Sequence, residues 1–345
     1  MDALKFFLFS HLGLTLSGCY TLKSAYNQVS ILVNRQSYES LLEKPSLSED
    51  QKRKLHLAQS VRDFALTELG LSSNGNYQQV TWLDRPYVVW AVSASDPWAL
   101  KSHQWSFPIV GKVPYLGFFN LQEAQEKEKE LSAEGYDTYV RGVSAYSTLG
   151  WFADPLLSSM LNYKDEVLAE TLIHELVHTT LWIPDNVNFN ERLASYLGQK
   201  GAELYFLKTE GPESASYQRM KNATHDDQLF SSFITEELRE LDLWYKKINS
   251  DVRDPAEKSK RIREIQDRFS QQVKPKMKGP DWDQFDQVKL NNARLLLYRT
   301  YLSDFTSFDR LWQSVNGDFK AFLQKCQTLK KSGKPEQDLE LLSKL

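Results

Sequence analysis

One stretch, Asp165 to Trp182, constrains this chain more than any other. In it two histidines and three glutamates interrupt a run that is otherwise largely apolar. Val167, Leu168, Leu172, Ile173, Leu176, Val177 and Leu181 supply the buried faces of a helix. Asp165 and Glu166 fall in its first turn, where the helix dipole favours acids. Pro184 stops it shortly after Trp182. The chain around it has 345 residues, 41% of them hydrophobic and 12% aromatic. That is ample for a well-buried core in one large domain or two closely packed ones.

Within the helix, the run Glu170-Thr171-Leu172-Ile173-His174-Glu175-Leu176-Val177-His178 carries the chemistry. Positions four apart project from one helix face, so His174 and His178 can hold one ion through their ring nitrogens. Glu175 is rotated off that axis by one residue and can reach a water on the metal without displacing it. This spacing therefore makes a hydrolytic site and not merely a metal clip. A third ligand is needed. After a turn over Pro184 to Asn188, a second helix begins near Asn190, an apt N-cap, and places Glu191 in its first turn. Two histidines and a glutamate are a ligand set of catalytic zinc sites, with the fourth position left for water. Asp185 is the competing third ligand, but it lies close to the turn. Glu170, one turn before His174, reads equally as a group that orients that histidine or as a surface acid. His56, His103 and His225 have no ligand spacing and read as structural.

The rest of the chain reads as α+β, predominantly helical. Residues 22 to 70 read as two helices separated by Pro45, with Ser48-Glu49-Asp50-Gln51 as a capping box for the second. Val80 to Trp82, Tyr87 to Val92 and Trp105 to Asn120 are rich in Val, Ile, Tyr, Phe and Trp and read as strands. Leu121 to Ala133 is a charged helix closed by Gly135, and Tyr136 to Tyr146 returns to strand character. From Lys164 to about residue 330 the pattern is almost entirely helical, with a solvated hairpin from Glu236 to Phe269 broken at Asp254-Pro255. The plan is a small mixed sheet before the histidine helix and a helical subdomain after it. In segments, 20–75 is a helical hairpin, 76–160 the sheet region, 161–210 the metal-binding helices and 211–345 the helical subdomain.

The first 19 residues stand apart. Phe6 to Leu16 is an apolar run broken only by Ser10, His11 and Thr15. It is shorter than the roughly 20 apolar residues that span a bilayer, but it has the length of a signal-peptide core. Leu16-Ser17-Gly18-Cys19 then resembles a bacterial lipobox, where the signal is cut and the cysteine acylated. A lipid on Cys19 anchors the chain at a membrane without spanning it. Tyr20 is not the aspartate that favours inner-membrane retention, so the expected location is the outer membrane of a bacterial envelope, facing the periplasm. Cys326, the other cysteine, is then left without an intrachain partner and reads as a buried thiol. Forty-two basic against 45 acidic residues give a net charge of −3, which offers no concentrated basic face for nucleic acid.

Several blocks together resemble a bacterial family of putative aminopeptidases within the zincin metallopeptidases. They are Val113-Pro114-Tyr115-Leu116-Gly117-Phe118-Phe119, Gly135-Tyr136-Asp137, Val140-Arg141-Gly142-Val143, Ala145 to Phe152 and Asp154-Pro155. The histidine motif, Phe189-Asn190-Glu191, and Asn292-Ala293-Arg294 with Tyr298 and Tyr301 complete the match. The resemblance implies a zincin-like fold, one zinc ion, a lipobox-bearing peptidase and a peptide substrate. Thirteen residues lead from His178 to Glu191, fewer than in better-known zinc peptidases with a glutamate third ligand, so the connecting loop must be tight. In the implied mechanism Glu175 is the general base. Tyr146, at the end of the strand before the helix, and Tyr298 and Tyr301 on the late helix are candidate oxyanion donors. By analogy with zincins, the strand Tyr139 to Tyr146 could pair with an extended peptide. The alternatives are a zinc endopeptidase, a hydrolase of a non-peptide amide, and a non-catalytic zinc lipoprotein that binds a peptide or envelope partner.

Overall fold

The computed structural model describes residues 26–107, 111–145, 152–248, 253–302 and 305–344. Cys19 with its lipobox, and Tyr146, lie outside them. No helix among the described residues is long and apolar enough to cross a membrane.

The described residues form three small sheets and a larger set of helices, the predominantly helical α+β class expected. Residues 26–33 are helical, but the two expected N-terminal helices are not a simple hairpin. Inside the first of them runs a strand, β1 (Arg35–Ser37), which pairs antiparallel with β2 (Gln79–Thr81); β2 pairs parallel with β8 (Leu156–Leu157). Ser37 ends β1 and caps the short helix α1 (Tyr38–Leu42), its Oγ accepting from Ser40 N at 3.1 Å. Pairing with β2 supplies the hydrogen bonds that local helix propensity would have used, so tertiary pairing overrides it. The capping box forms as expected at the start of α2 (Glu49–Thr67): Ser48 Oγ accepts from Gln51 N, and Gln51 Oε1 accepts from Ser48 N.

The central sheet has the order β6-β3-β7, all antiparallel: β3 (Val89–Ser95), β6 (Tyr115–Phe118) and β7 (Asp137–Val143). A separate ribbon joins β4 (Trp105–Phe107) and β5 (Gly111–Val113). Between β6 and β7 runs α3 (Leu121–Ala133). Register decides what each face of the sheet carries, because side chains alternate along a strand. Ala91 lies opposite Arg141 and Gly117, and Ser93 opposite Tyr139 and Tyr115, so Tyr115, Tyr139 and Arg141 share one face. Val92, Ala94 and Val140 occupy the other, where they pack dry against Ala124 and Leu131 of α3.

The polar face is covered by α8 (Asn292–Leu302), which packs on β7 and β3. Asn292 locks it there. Its backbone N–H donates to Asp137 Oδ2 at 2.9 Å, its Nδ2 donates to the carbonyls of Asp96 and Pro97, and its Oδ1 accepts from the Tyr245 hydroxyl at 2.8 Å. Around this unit lie α4 (Asp165–Thr180), α5 (Val187–Glu210), α6 (Ala215–Lys247) and α7 (Pro255–Arg268), with α9 (Thr306–Ser314) and α10 (Phe319–Gln327) near the C-terminus. Asp254 caps α7 and Pro255 opens it, the break expected in the helical hairpin.

Besides the cluster between the sheet and α3, two larger apolar cores lie among the described residues. One joins α2, α4, α5, α9 and α10 through residues such as Leu55, Leu172, Ile173, Leu197, Phe206, Phe308 and Phe322, and it encloses Cys326. The other joins α6, α7 and α8 through Phe230, Ile234, Leu241, Ile265, Phe269 and Leu295. The histidine helix α4 is buried on most sides, except that Val167, read as a core residue, is 41% exposed.

The crossing of α4 and α5 depends on small residues. A Cβ on Gly201 would stand 2.8 Å from Leu69 Cδ1 and 2.9 Å from Ile173 Cγ2. Gly201→Ala is therefore expected to force those side chains off their rotamers and to destabilise the fold by about 1–3 kcal/mol. The check is the thermal unfolding midpoint: an unchanged midpoint would mean that the helices are not close-packed there.

Candidate metal centre

α4 presents His174 and His178 on one face, and α5 brings Glu191 to the same point. The His174 and His178 Nε2 atoms are 3.0 Å apart, and Glu191 Oε2 lies 3.3 Å from the first and 3.5 Å from the second. Tetrahedral bonds of about 2.0–2.1 Å would place neighbouring ligand atoms about 3.3–3.4 Å apart. The three atoms thus already stand at the separations of three corners of one coordination sphere, and they form a group able to hold a metal ion. Burial agrees: the side chains are 16%, 5% and 8% exposed for His174, His178 and Glu191. Burial alone would raise the Glu191 carboxyl, but His178 and His174 more than offset it and hold it well below the ordinary carboxylate range. A permanently ionised carboxylate is what a ligand position requires. Asp185, the other candidate, is exposed in the loop with a φ of +60° and takes no part in the group.

The tight loop has a specific support. Asn190 is 1% exposed and closes a ring with Ile183: its Oδ1 accepts from Ile183 N at 3.0 Å and its Nδ2 donates to Ile183 O at 2.7 Å. Asn190 is therefore not the N-cap. The helix begins at Val187 after Asn186, and Glu191 lies in its second turn. The earlier start arises because Asn190 satisfies loop backbone groups from within the helix, a role no cap could fill from the helix end. Thr300 Oγ1 on α8 donates to Asn188 Oδ1 at 3.1 Å and ties the same turn to the sheet layer.

Gly198 sets the helix separation at the site itself. A Cβ there would lie 3.0 Å from the Glu170 carbonyl oxygen and 3.2 Å from His174 Cβ. Sequence reading passed over this glycine, since a glycine within a helix gives no sign of what crosses it.

Glu175, beside the group, is 8% exposed. Burial, with the charges of Glu191 and Asp154, outweighs the lowering effect of His174 and pushes its carboxyl up to about 7. It can therefore take and release a proton near neutral pH. The Asp154 segment is fixed by Asn76, whose Oδ1 accepts from Asp154 N and whose Nδ2 donates to Thr179 on α4.

On the sheet side, Tyr301 of α8 lies against Arg141 of β7, whose Nη2 donates to the tyrosine oxygen at 3.2 Å. Burial raises the Tyr301 hydroxyl strongly, and the charges of Glu191 and Glu175 act on it in the same direction. Tyr115 of β6 is shifted up in the same way, by burial and then by Glu191, Tyr301 and Glu175. Tyr301, Tyr115 and Arg141 thus form one buried cluster that feels the charge of Glu191. Tyr298 is placed elsewhere, among Phe230, Trp282 and Phe285. Tyr115 and Arg141 fall in sequence blocks singled out above, but only the strand register reveals that they share a face.

On the far side of His174, Glu170 bonds to neither histidine. Burial, then Asp227 and Asp281, raise its carboxyl to about 8. Asp227 accepts from Gln199 Nε2 and Trp282 Nε1 at 2.8 and 2.9 Å, yet burial still lifts it to about 7.

The model of a family described as putative aminopeptidase matches residues 19–341 of the chain. No curated protein and no solved structure matches it.

Two measurements follow from this geometry. Gly198→Ala must displace the Glu170 carbonyl or His174, so metal affinity is expected to fall about tenfold or more; a competition titration with a chelator checks it. Asp227 binds its proton more tightly folded than unfolded, so its contribution is fully present below about pH 4 and is lost as pH rises through about 7. Wild-type unfolding free energy should drop over that window by at most about 4 kcal/mol more than that of Asp227→Asn. Equal slopes in denaturant titrations across the window would refute this.

Proposed function

The chain belongs to the putative aminopeptidase family, and from that premise we propose that it is a zinc-dependent peptide hydrolase that removes residues from the amino end of peptides. The observation that carries this reading is the convergence of His174, His178 and Glu191 beside a buried carboxyl of raised pKa, Glu175. Two imidazoles and one carboxylate from two helices suit zinc in a catalytic setting, where a fourth position is left open. Zinc held by these three side chains would supply a Lewis acid for the scissile carbonyl and lower the pKa of a water toward about 7.

The residues of this chain divide the remaining work. Glu175 receives the proton of the attacking water and passes it to the leaving amine, for which a carboxyl near 7 is well matched at neutral pH. Tyr301 donates its hydroxyl hydrogen to the developing oxyanion. Arg141, donating to the same tyrosine oxygen, makes that hydrogen a better donor. β7 is an outer strand of its sheet and offers an edge to an extended peptide, although Asn291 Nδ2 already takes the Thr138 carbonyl. Cys19 is the lipidated residue and anchors the protein in the bacterial envelope, at the periplasmic face of the outer membrane; the apolar run ahead of Leu16-Ser17-Gly18-Cys19 supports this.

The test uses the chain without residues 1–19, as wild type, Glu175→Gln and Tyr301→Phe. All three should bind one zinc, measured by elemental analysis. Glu175→Gln should lose about 100- to 10,000-fold in kcat on a peptide library, and Tyr301→Phe about 100- to 1,000-fold. A wild-type protein that takes up no zinc after reconstitution would sink the reading. An N-acetylated peptide cleaved as fast as the free one would turn the assignment to an endopeptidase. Separately, Cys19→Ala should move the protein from the membrane to the soluble fraction of expressing cells.

A further inference from the structure

Arg141 contrasts with Arg192 and Arg268, two arginines that rest on the carboxylates of Glu336 and Glu237. Arg141 has no carboxylate within ion-pair distance among the described residues. Its Nη2 holds the neutral Tyr301 hydroxyl, its guanidinium lies 5.6 Å from the Tyr301 ring, and its Nε is enclosed without an acceptor. Against burial, the Tyr301 contact and the charge of Glu191 favour the guanidinium, but no carboxylate meets its N–H groups directly, and a buried donor without an acceptor is unfavourable.

A second arginine continues the pattern. Arg294 sits two turns before Tyr301 on the same side of α8, with its guanidinium 4.9 Å from the centre of the Tyr139 ring. Tyr139 is two residues from Arg141 on the same face of β7. Arg294 likewise pairs with no carboxylate among the described residues. The contact between α8 and β7 therefore has two rungs, Tyr301 with Arg141 and Arg294 with Tyr139, and each contributes a guanidinium to one wall.

Taking the peptidase reading as premise, we propose that Arg141 is a substrate-binding residue for a free carboxylate, so that the preferred substrates are short peptides whose C-terminal carboxylate lies close to the scissile bond. The metal ligands, Glu175 and Tyr301 already surround the reacting carbonyl. Arg141 contacts Tyr301 and none of the metal-group side chains, so the group assigned to it is one other than the scissile carbonyl. A guanidinium presents parallel N–H groups in a planar fork that matches a carboxylate, and the enclosure around it strengthens the pairing. Arg294 extends the positive wall and accommodates the carboxylate of a peptide one residue longer.

The experiment measures equilibrium binding by calorimetry on the zinc-loaded Glu175→Gln protein, which binds without turnover. The probes are tri-alanine and tri-alanine amide, which differ only at the C-terminal group. The acid should bind about 10- to 100-fold tighter than the amide. Arg141→Met should abolish that preference, and Arg141→Lys, which keeps the charge without the fork, should retain a small part of it. Thermal unfolding checks each variant; if Arg141→Met does not fold, Arg141→Lys carries the comparison and must lose most of the preference. Equal binding of acid and amide, a preference that survives in the folded variant, or no binding of either probe would overturn the proposal. Turnover by the otherwise wild-type protein separates the two readings. Hydrolysis without acid preference removes the carboxylate site and leaves the peptidase. An Arg141-dependent preference without hydrolysis removes the peptidase and leaves the site.

Discussion

The close crossing of α4 and α5 is the contact on which the rest of the site depends. Glu191 reaches the two histidines only because the backbones approach to the point where Gly198 has no room for a methyl group beside His174. Farther along, Gly201 and Ala202 let the same helices lie against Leu69 and Ile173 without a gap. Two helices packed through larger residues would stand about 8–10 Å apart at their axes, and a glutamate would have to stretch across. Asn190 serves the same purpose at the loop, where it satisfies both polar groups of Ile183 and leaves the short connection no freedom to widen. The ligand triangle is thus built by backbone geometry before any ion is considered.

Around that triangle the fold accumulates charges that burial makes expensive. His174, His178 and Glu191 offset one another in part, and a cation among them would complete the balance. Glu175 is compensated only in part by His174, and its carboxyl rises to about 7. Arg141 is the mirror case, a cation with a phenol as its nearest partner. Glu170 and Asp227 form a further region of raised carboxyls on the other side of His174. Raised carboxyls and a guanidinium without a directly paired carboxylate thus occur together in this part of the fold. A fold selected for stability alone would be expected to neutralise these groups, since perturbed ionisation concentrates where chemistry is done.

Much of this was legible in the chain because it is local. The helix from Asp165, the pairing of His174 with His178, the capping box at Ser48, the helix from Leu121 to Ala133 and the break at Asp254-Pro255 follow from periodicity and end signals that act over a few residues. Errors came where a distant partner decided the outcome. β1 formed within an expected helical segment because β2 lay ready to pair with it. Asn190 was taken for a cap because its partner, Ile183, lies across a loop. Tyr298 and Tyr301 are indistinguishable by type and nearly so by position. One faces an aromatic core and the other the metal ligands, because three residues turn a helix by most of a revolution but not a whole one.

The sequence by itself determined the residue types of the candidate metal group, the face on which two of them stand and the carboxyl next to them, since a helix relates residues one and four positions apart by fixed geometry. Tertiary structure alone decided that Glu191, and not Asp185, completes the group, that Tyr115 and Arg141 share a sheet face, and that Glu175 lies deep enough for burial to raise its carboxyl. Those outcomes depend on strand register, helix crossing and depth of burial. Each is set by packing between segments far apart in the chain, which no local pattern encodes.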